Sequence, residues 1–316
     1  MKRRDFLGIS AVGAGSIAVG GVPGLVAQET KKDVPDAQNP VALVQLTKDI
    51  QCSRIGFGTG MNGYGRISDT VRAGWTKAIE LVQFAYDNGI RLFDCADLYG
   101  SHAIIAEALK GKPRDSYTLV TKIWHHPDGF PEPGGLPEKE RLNPEELLPR
   151  FLRELKTDYI DVLQIHYILN DKWTTQFADS MERMEKLKKQ GKIRAHGISS
   201  HSKAATELAA KTPWCDVVHV QVNSEGMLWM DDVKGDAAKR VEESVHVAKT
   251  AHSAGKGVIG IKVLGGGQMV KDPEMRKRST AFVTNSGCVD TMVAAFDEKE
   301  HITEFINNVA MALKNK

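Results

Sequence analysis

The chain predicts an α/β fold, a single (β/α)8 barrel of the TIM type over residues 48–316, on three observations. Short apolar or β-branched runs alternate with longer amphipathic stretches. There are eight such runs, an even count. No glycine-rich turn follows the first run, where an open doubly wound sheet would carry one. The 316 residues are 41% hydrophobic, enough for one large core. Basic residues number 42 against 40 acidic, which gives no electrostatic case for nucleic acid, and no polybasic stretch suggests a stable membrane anchor.

The elements follow in chain order. Residues 1–27, "MKRRDFLGISAVGAGSIAVGGVPGLVA", combine a basic start, a weakly apolar Gly/Ala-rich run and a small residue, Ala27, before polar sequence. This is the pattern of a secretory signal. Arg3 and Arg4, followed by Phe6 and Leu7, are similar to a twin-arginine signal, which exports proteins already folded. The run is too glycine-rich to span a membrane well. The expected location is therefore the periplasm, with the twin-arginine export machinery as a partner. "GAGSIA" within the signal matches a dinucleotide fingerprint, but no strand precedes it and it is set aside. Residues 28–47 read as a flexible lead-in.

The strand candidates are "RIGFG" (54–58), "IRLFD" (90–94), "YTLVTK" (117–122), "YIDVLQIH" (159–166), "IRAHGIS" (193–199), "DVVHVQV" (216–222), "GVIGIKV" (257–263) and "VDTMVAAF" (289–296). Between them run helical patterns such as "TKAIELVQFAYDNG" and "FADSMERMEKLKKQGK", the latter stopped by Gly191. Cys52, Cys95, Cys215 and Cys288 are widely spaced, form no zinc or redox motif, and read as isolated buried thiols.

In such a barrel the chemistry sits where strands end at the C-terminal face. The second strand ends at Asp94, with Tyr99 five residues on. The third ends at Lys122 and the fourth at His166. The fifth ends at Ser199, and the sixth carries Gln221. Singly, each residue is more often structural: a salt-bridged Asp, a solvated Lys, a hydrogen-bonded core His. Together they suit one task. A free tyrosine titrates near 10 and is a poor acid at neutral pH. A Lys ammonium beside it would lower that value, an Asp would orient the Lys, and a His would relay or donate to a substrate oxygen.

"FDCADLYG", followed in order by "TK", "QIH" and "GIS", resembles the aldo/keto reductase family over residues 50–312. The resemblance implies a (β/α)8 barrel binding a nicotinamide nucleotide across its mouth without a Rossmann domain. It implies Tyr99 as general acid/base with Asp94, Lys122 and His166, acting on a small carbonyl or alcohol. Ser199 and Gln221 would hold the nicotinamide carboxamide, with Gly58, Thr59 and Asp94 near the cofactor. Where many relatives stack a tyrosine on the nicotinamide, this chain has Ile261, and Lys262 replaces the serine beside it. Lys262 and the amides of Gly265, Gly266 and Gly267 suit a pyrophosphate. In "FDEKEHITEFINN", Asp297 and Glu298 stand where cations would meet a 2′-phosphate, and Glu304 alone matches the adenosine end. The cofactor is thus NADP or NAD, bound tightly enough for export with the folded chain. The long C-terminal loop of many relatives has no counterpart here, so the mouth is expected to be open. Trp124, Phe130 and Trp229 are candidates to stack on a sugar ring. His125, His126 and His201 lack the carboxylate pattern of a metal site, and no metal is expected. The alternative to an enzyme is an exported barrel that binds a carbohydrate-like ligand and keeps a relic tetrad.

Overall fold

The computed structural model describes residues 36–124, 136–227 and 232–315. Residues 1–27, His125, His126, Phe130 and Trp229 lie outside the described residues. Eight parallel strands close into a barrel: β3 (Ile55–Gly58), β4 (Leu92–Asp94), β5 (Thr118–Ile123), β6 (Ile160–Ile168), β7 (Ile193–Ser200), β8 (Val217–Gln221), β9 (Gly257–Ile261) and β10 (Thr291–Ala294). Strand β10 pairs with β3 to complete the ring. Around it lie α1 (Asp69–Arg72), α2 (Trp75–Asp87), α3 (His102–Ala108), α4 (Pro144–Leu155), α5 (Trp173–Gln176), α6 (Ala178–Lys189), α7 (Lys203–Lys211), α8 (Ala237–Ser253), α9 (Pro273–Asn285) and α10 (Lys299–Lys314). The eight strand candidates all fall on the barrel, each within a few residues of its expected ends. Gly191, the expected stop of α6, adopts φ +71° just past it.

The lead-in departs from expectation. Its last five residues form β1 (Leu43–Thr47), which pairs antiparallel with β2 (Ile50–Ser53). From this hairpin Leu46, Ile50 and Cys52 pack against Leu92, Val120, Val162, Ala195, Val217, Ile259 and Val293, the inward-facing residues of the strands. The hairpin thereby seals the N-terminal end of the barrel. Each fully buried aliphatic side chain there contributes about 1.5–3 kcal/mol of burial, ample to order a short strand.

Two residues further along several strands, the inward face turns polar. Leu92 is followed by Asp94, Val120 by Lys122, Val162 by Gln164 and Val217 by His219, and all four polar side chains are buried. This follows from the period of two along a strand. It sets a charged layer directly above an apolar one. Helix α4 also serves the site. Asn143 and Glu146 form a capping box with Pro144 at the first turn, and Leu147, Leu148, Phe151 and Leu155 bury one face. Arg150 and Glu154 are thereby held at the edge nearest β4.

Candidate active site

Tyr99 hangs from a single 3-10 turn, Asp97–Tyr99, and the turn is clamped from several sides. Gly100 closes it at φ +71°, and a Cβ there would lie 2.0 Å from the Arg66 carbonyl oxygen, so only glycine fits. The Arg66 amide donates to Leu98 O at 2.9 Å. Buried Asp97 accepts from Arg66 Nε at 2.9 Å and from Arg150 Nη2 at 2.7 Å. Arg66 continues to Glu140, and Arg150 to Glu154 at 2.9 Å. His102 joins Glu154 to Thr121 on β5, 2.8 Å at each end.

At the charged layer the four expected residues meet. Lys122 Nζ donates to Asp94 Oδ1 at 2.6 Å and to Cys95 O at 2.9 Å. It stands 5.1 Å from the centroid of the Tyr99 ring. The Tyr99 hydroxyl is 3.2 Å from His166 Nε2, with the rings edge to face. Strand β6 is irregular between Ile165 and Ile168, and Tyr167 there adopts φ +62°. Tyr167 lies against His201 with the rings tilted, 4.1 Å between centroids, and packs with Tyr99 against Leu98, Trp124 and Leu136.

The electrostatics correct one expectation. Burial pushes the Tyr99 phenol well above its ordinary value, and the Asp94 charge pushes the same way. Lys122 directs its hydrogen bonds to Asp94 and the Cys95 carbonyl. Tyr99 therefore carries its proton at neutral pH. Burial also raises the Asp94 carboxyl, but Lys122 and His219 together outweigh it and hold the group below the usual carboxylate value.

The residues expected around a cofactor divide. Ser199 and Gln221 are buried at the ends of adjoining strands, with the Gln221 amide 2.8 Å from His201 Nδ1. Burial holds that imidazole neutral, down to about 3, and the Lys262 charge adds to the shift. Lys262 turns off β9 at φ +58°, half-buried, and among the described residues no carboxylate pairs with it. Burial lowers its ammonium below the ordinary lysine value. Gly265, Gly266 and Gly267 follow in a tight turn, all at positive φ.

Other positions are already engaged. The Thr59 hydroxyl donates to Asp94 O at 2.8 Å and lies 2.6 Å from Ser101 Oγ, a tie at the strand ends. Gly58 packs on Val293 and Ala294 of β10. Both Glu304 oxygens accept from Arg276, at 2.8 and 3.0 Å. Glu298 pairs with Lys77 at 2.5 Å, and Asp297 and Glu298 are both exposed. Trp124 is buried against His166 and offers no open face for a sugar. Among the described residues no cluster of three His, Cys, Asp or Glu side chains is arranged to hold a metal. Also among them, no helix is long and apolar enough to cross a membrane.

Sequence reasoning missed His219, whose Nε2 lies 3.1 Å from Asp94 Oδ1, and it missed Asp97 with its arginines. His219 was findable: it sits two residues before Gln221 and so shares its inward face. Asp97 carried no local signal, since its partners lie 31 and 53 residues away.

A closed eight-stranded parallel barrel ringed by helices, with a Tyr, Lys, Asp and His cluster at the C-terminal ends of its strands, is a (β/α)8 barrel of the TIM class. The model of the aldo/keto reductase family matches residues 54–312, and the chain belongs to that family. It is 34% identical to the aldo-keto reductase YhdN of Bacillus subtilis over 163 residues, 48% of this chain and 45% of that protein. It is 31% identical to the NADH-specific methylglyoxal reductase of Escherichia coli over 166 residues, 49% of this chain and 50% of that one. The chain spans about half the length of the curated relatives it matches. Among solved structures, the holo form of an aldo-keto reductase from Bacillus halodurans has a TM-score of 0.62 at 20% identity, covering 86% of this chain and 95% of that one. An aldo-keto reductase from Klebsiella pneumoniae in complex with NADPH has a TM-score of 0.59 at 18% identity, covering 84% and 89%. These likenesses are of fold.

Proposed function

We propose that the protein is a nicotinamide-dependent oxidoreductase that reduces a carbonyl, or oxidises the corresponding alcohol, with Tyr99 as general acid/base. The observation that carries this reading is the Tyr99 hydroxyl set 3.2 Å from His166 Nε2 beside the buried Lys122–Asp94 pair. When bound, the nicotinamide supplies hydride to the carbonyl carbon. Tyr99 supplies the proton. A phenol is by nature a stronger acid than an alcohol, which suits it to protonate a developing alkoxide. His166 donates to the substrate oxygen or orients the phenol, and Lys122 places positive charge beside the growing negative charge.

The residues present fit the nicotinamide and pyrophosphate portions. Buried Ser199 and Gln221 suit the carboxamide, and Lys262, with no carboxylate partner among the described residues, suits the diphosphate beside Gly265 and Gly266. The adenosine end is less provided. Exposed Asp297 repels a 2′-phosphate, and Glu304 is held by Arg276, which favours NAD over NADP. The E. coli relative named for NADH specificity points the same way. The substrate is a small carbonyl or sugar-like molecule, with Tyr167 as the half-buried ring at the mouth. The same proposal includes export by the twin-arginine route and a periplasmic location. The folded barrel would carry its nucleotide out tightly bound, and a second substrate would regenerate it.

Occupation of Glu304 favours one other reading, a non-catalytic barrel that binds a carbohydrate-like ligand and retains the tetrad. Native mass spectrometry of the purified protein, with fluorescence titration by NADH and NADPH, separates the two. Bound nucleotide, or NADH binding at least as tight as NADPH, supports the enzyme. Absence of any nucleotide binding favours the carbohydrate-binding barrel.

A further inference from the structure

His219 lies on β8 in the charged layer, across the barrel from β4, with no exposed surface. Asp94 Oδ1 accepts from it at 3.1 Å and from Lys122 Nζ at 2.6 Å, so one carboxylate oxygen is held by donors on two other strands. Burial keeps the His219 imidazole neutral, below its ordinary value. A neutral imidazole has one N–H, and a carboxylate can only accept, so that proton is on Nε2. His219 Nδ1 is then a buried lone pair, with no hydrogen-bond partner among the described residues. An unsatisfied buried acceptor destabilises a fold, and a residue chosen only to fill the barrel would be apolar, like Val217 one layer below.

We infer that His219 is a positioning residue: its Nε2–H holds the same Asp94 oxygen that Lys122 bonds, and so helps set where Lys122 stands beside the Tyr99 ring. The inference rests on the oxidoreductase reading for its effect on turnover, though not for its effect on Asp94. The titratable groups around the layer are Asp94 on β4, Cys95 just after it, Tyr99 on its turn, Lys122 on β5, His166 on β6, His201 after β7 and Lys262 after β9. Of these, Lys122 and His219 are the groups that favour the ionised form of Asp94. Without the His219 donor, burial is less opposed and the Asp94 carboxyl rises. Its protonation, which removes the anchor of Lys122, then begins at higher pH.

The experiment compares wild type with His219→Leu, which fills the space without a donor, and His219→Gln, whose amide nitrogen stands near the place of Nε2. Steady-state turnover of a dicarbonyl with NADH is measured across pH, and the Asp94 carboxyl is titrated by 13C NMR, assigned by its loss in Asp94→Asn. His219→Leu should lower kcat on the order of 10-fold or more, the effect of losing a hydrogen bond to a charged group, with nucleotide affinity little changed. It should move the acid limb and the Asp94 midpoint upward, and His219→Gln should restore both. A folded Leu variant with wild-type kcat, acid limb and Asp94 midpoint would overturn the inference, as would failure of Gln to restore any of them. If wild type does not turn over, the oxidoreductase reading fails by itself. The NMR midpoints of the three proteins still decide the role of His219.

Discussion

Gly60 follows the first barrel strand, and a Cβ built on it would lie 2.3 Å from Tyr99 Cζ and 2.8 Å from the Tyr99 hydroxyl oxygen. Ordinary Cβ contacts begin near 3.4 Å, so in Gly60→Ala the phenol must retreat by about 1 Å. Gly60 does not occupy a positive φ, so alanine meets steric overlap there and no backbone strain. Tyr99 cannot simply swing away, because its turn is pinned through Gly100 and Asp97. Its ring is also confined by His166 and by Gly63, where a Cβ would lie 2.7 Å from Tyr99 Cδ1. A displacement of that size in a reacting group costs roughly 10²-fold in rate. The assay is single-turnover carbonyl reduction by Gly60→Ala, with nucleotide affinity as the control, alone and in a Tyr99→Phe background. The single change should slow turnover about 10²-fold and leave nucleotide binding within a few-fold of wild type. In the Tyr99→Phe background it should add little, since both changes act through one hydroxyl. A folded Gly60→Ala protein with wild-type turnover would refute the claim that the hydroxyl position governs the reaction.

Asp97→Asn removes the charge that two arginines share at a buried site, and should lower stability by roughly 2–4 kcal/mol, the range for breaking a partly screened buried pair. A urea midpoint equal to wild type would show that the clamp on the Tyr99 turn is not held by this pair. Glu154 is half-buried. Burial raises its carboxyl, but His102 and Arg150 win and hold it down to about 2. A depressed folded-state value means its contribution is complete above the unfolded carboxylate value and is lost as pH falls toward about 2. Glu154→Gln should therefore flatten the acid side of the stability profile, and an unchanged slope below pH ~4.5 would contradict the assignment. For export, Arg3→Lys with Arg4→Lys should leave the protein in the cytoplasm by cell fractionation, and efficient export of that double variant would end the twin-arginine reading.

The barrel was legible because each strand carries its own signal: an apolar run with a two-residue period, stopped by a residue that must face the mouth. Asp94, Lys122 and His166 were legible for the same reason, as polar groups where an apolar strand ends. Leu43–Thr47 was not, although "LVQLT" alternates. Its order comes from Leu46 sealing a floor built by seven distant residues, which no local pattern reveals. His219 was passed over because "HVQ" offers two inward polar residues and the family order drew attention to Gln221. The acidity of Tyr99 depended on distances. Sequence placed a Lys near the phenol with an Asp to orient it, and the geometry adds how deeply the phenol is buried. The ties of Thr59 to Ser101 and of Glu304 to Arg276 were illegible for the same reason, since these partners lie 42 and 28 residues along the chain.

The central claim is that the Tyr99 hydroxyl delivers the proton when a carbonyl is reduced. Its most direct measurement is single-turnover reduction of a dicarbonyl by nucleotide-loaded wild type and Tyr99→Phe, with nucleotide affinity determined for both. The ring that packs beside His166 and Trp124 remains in the variant, and only the acid is gone. Wild type should react, and Tyr99→Phe should be slower by about 10²–10⁴-fold, with affinity within a few-fold of wild type. Equal single-turnover rates for the two proteins would make Tyr99 a structural residue and contradict the account.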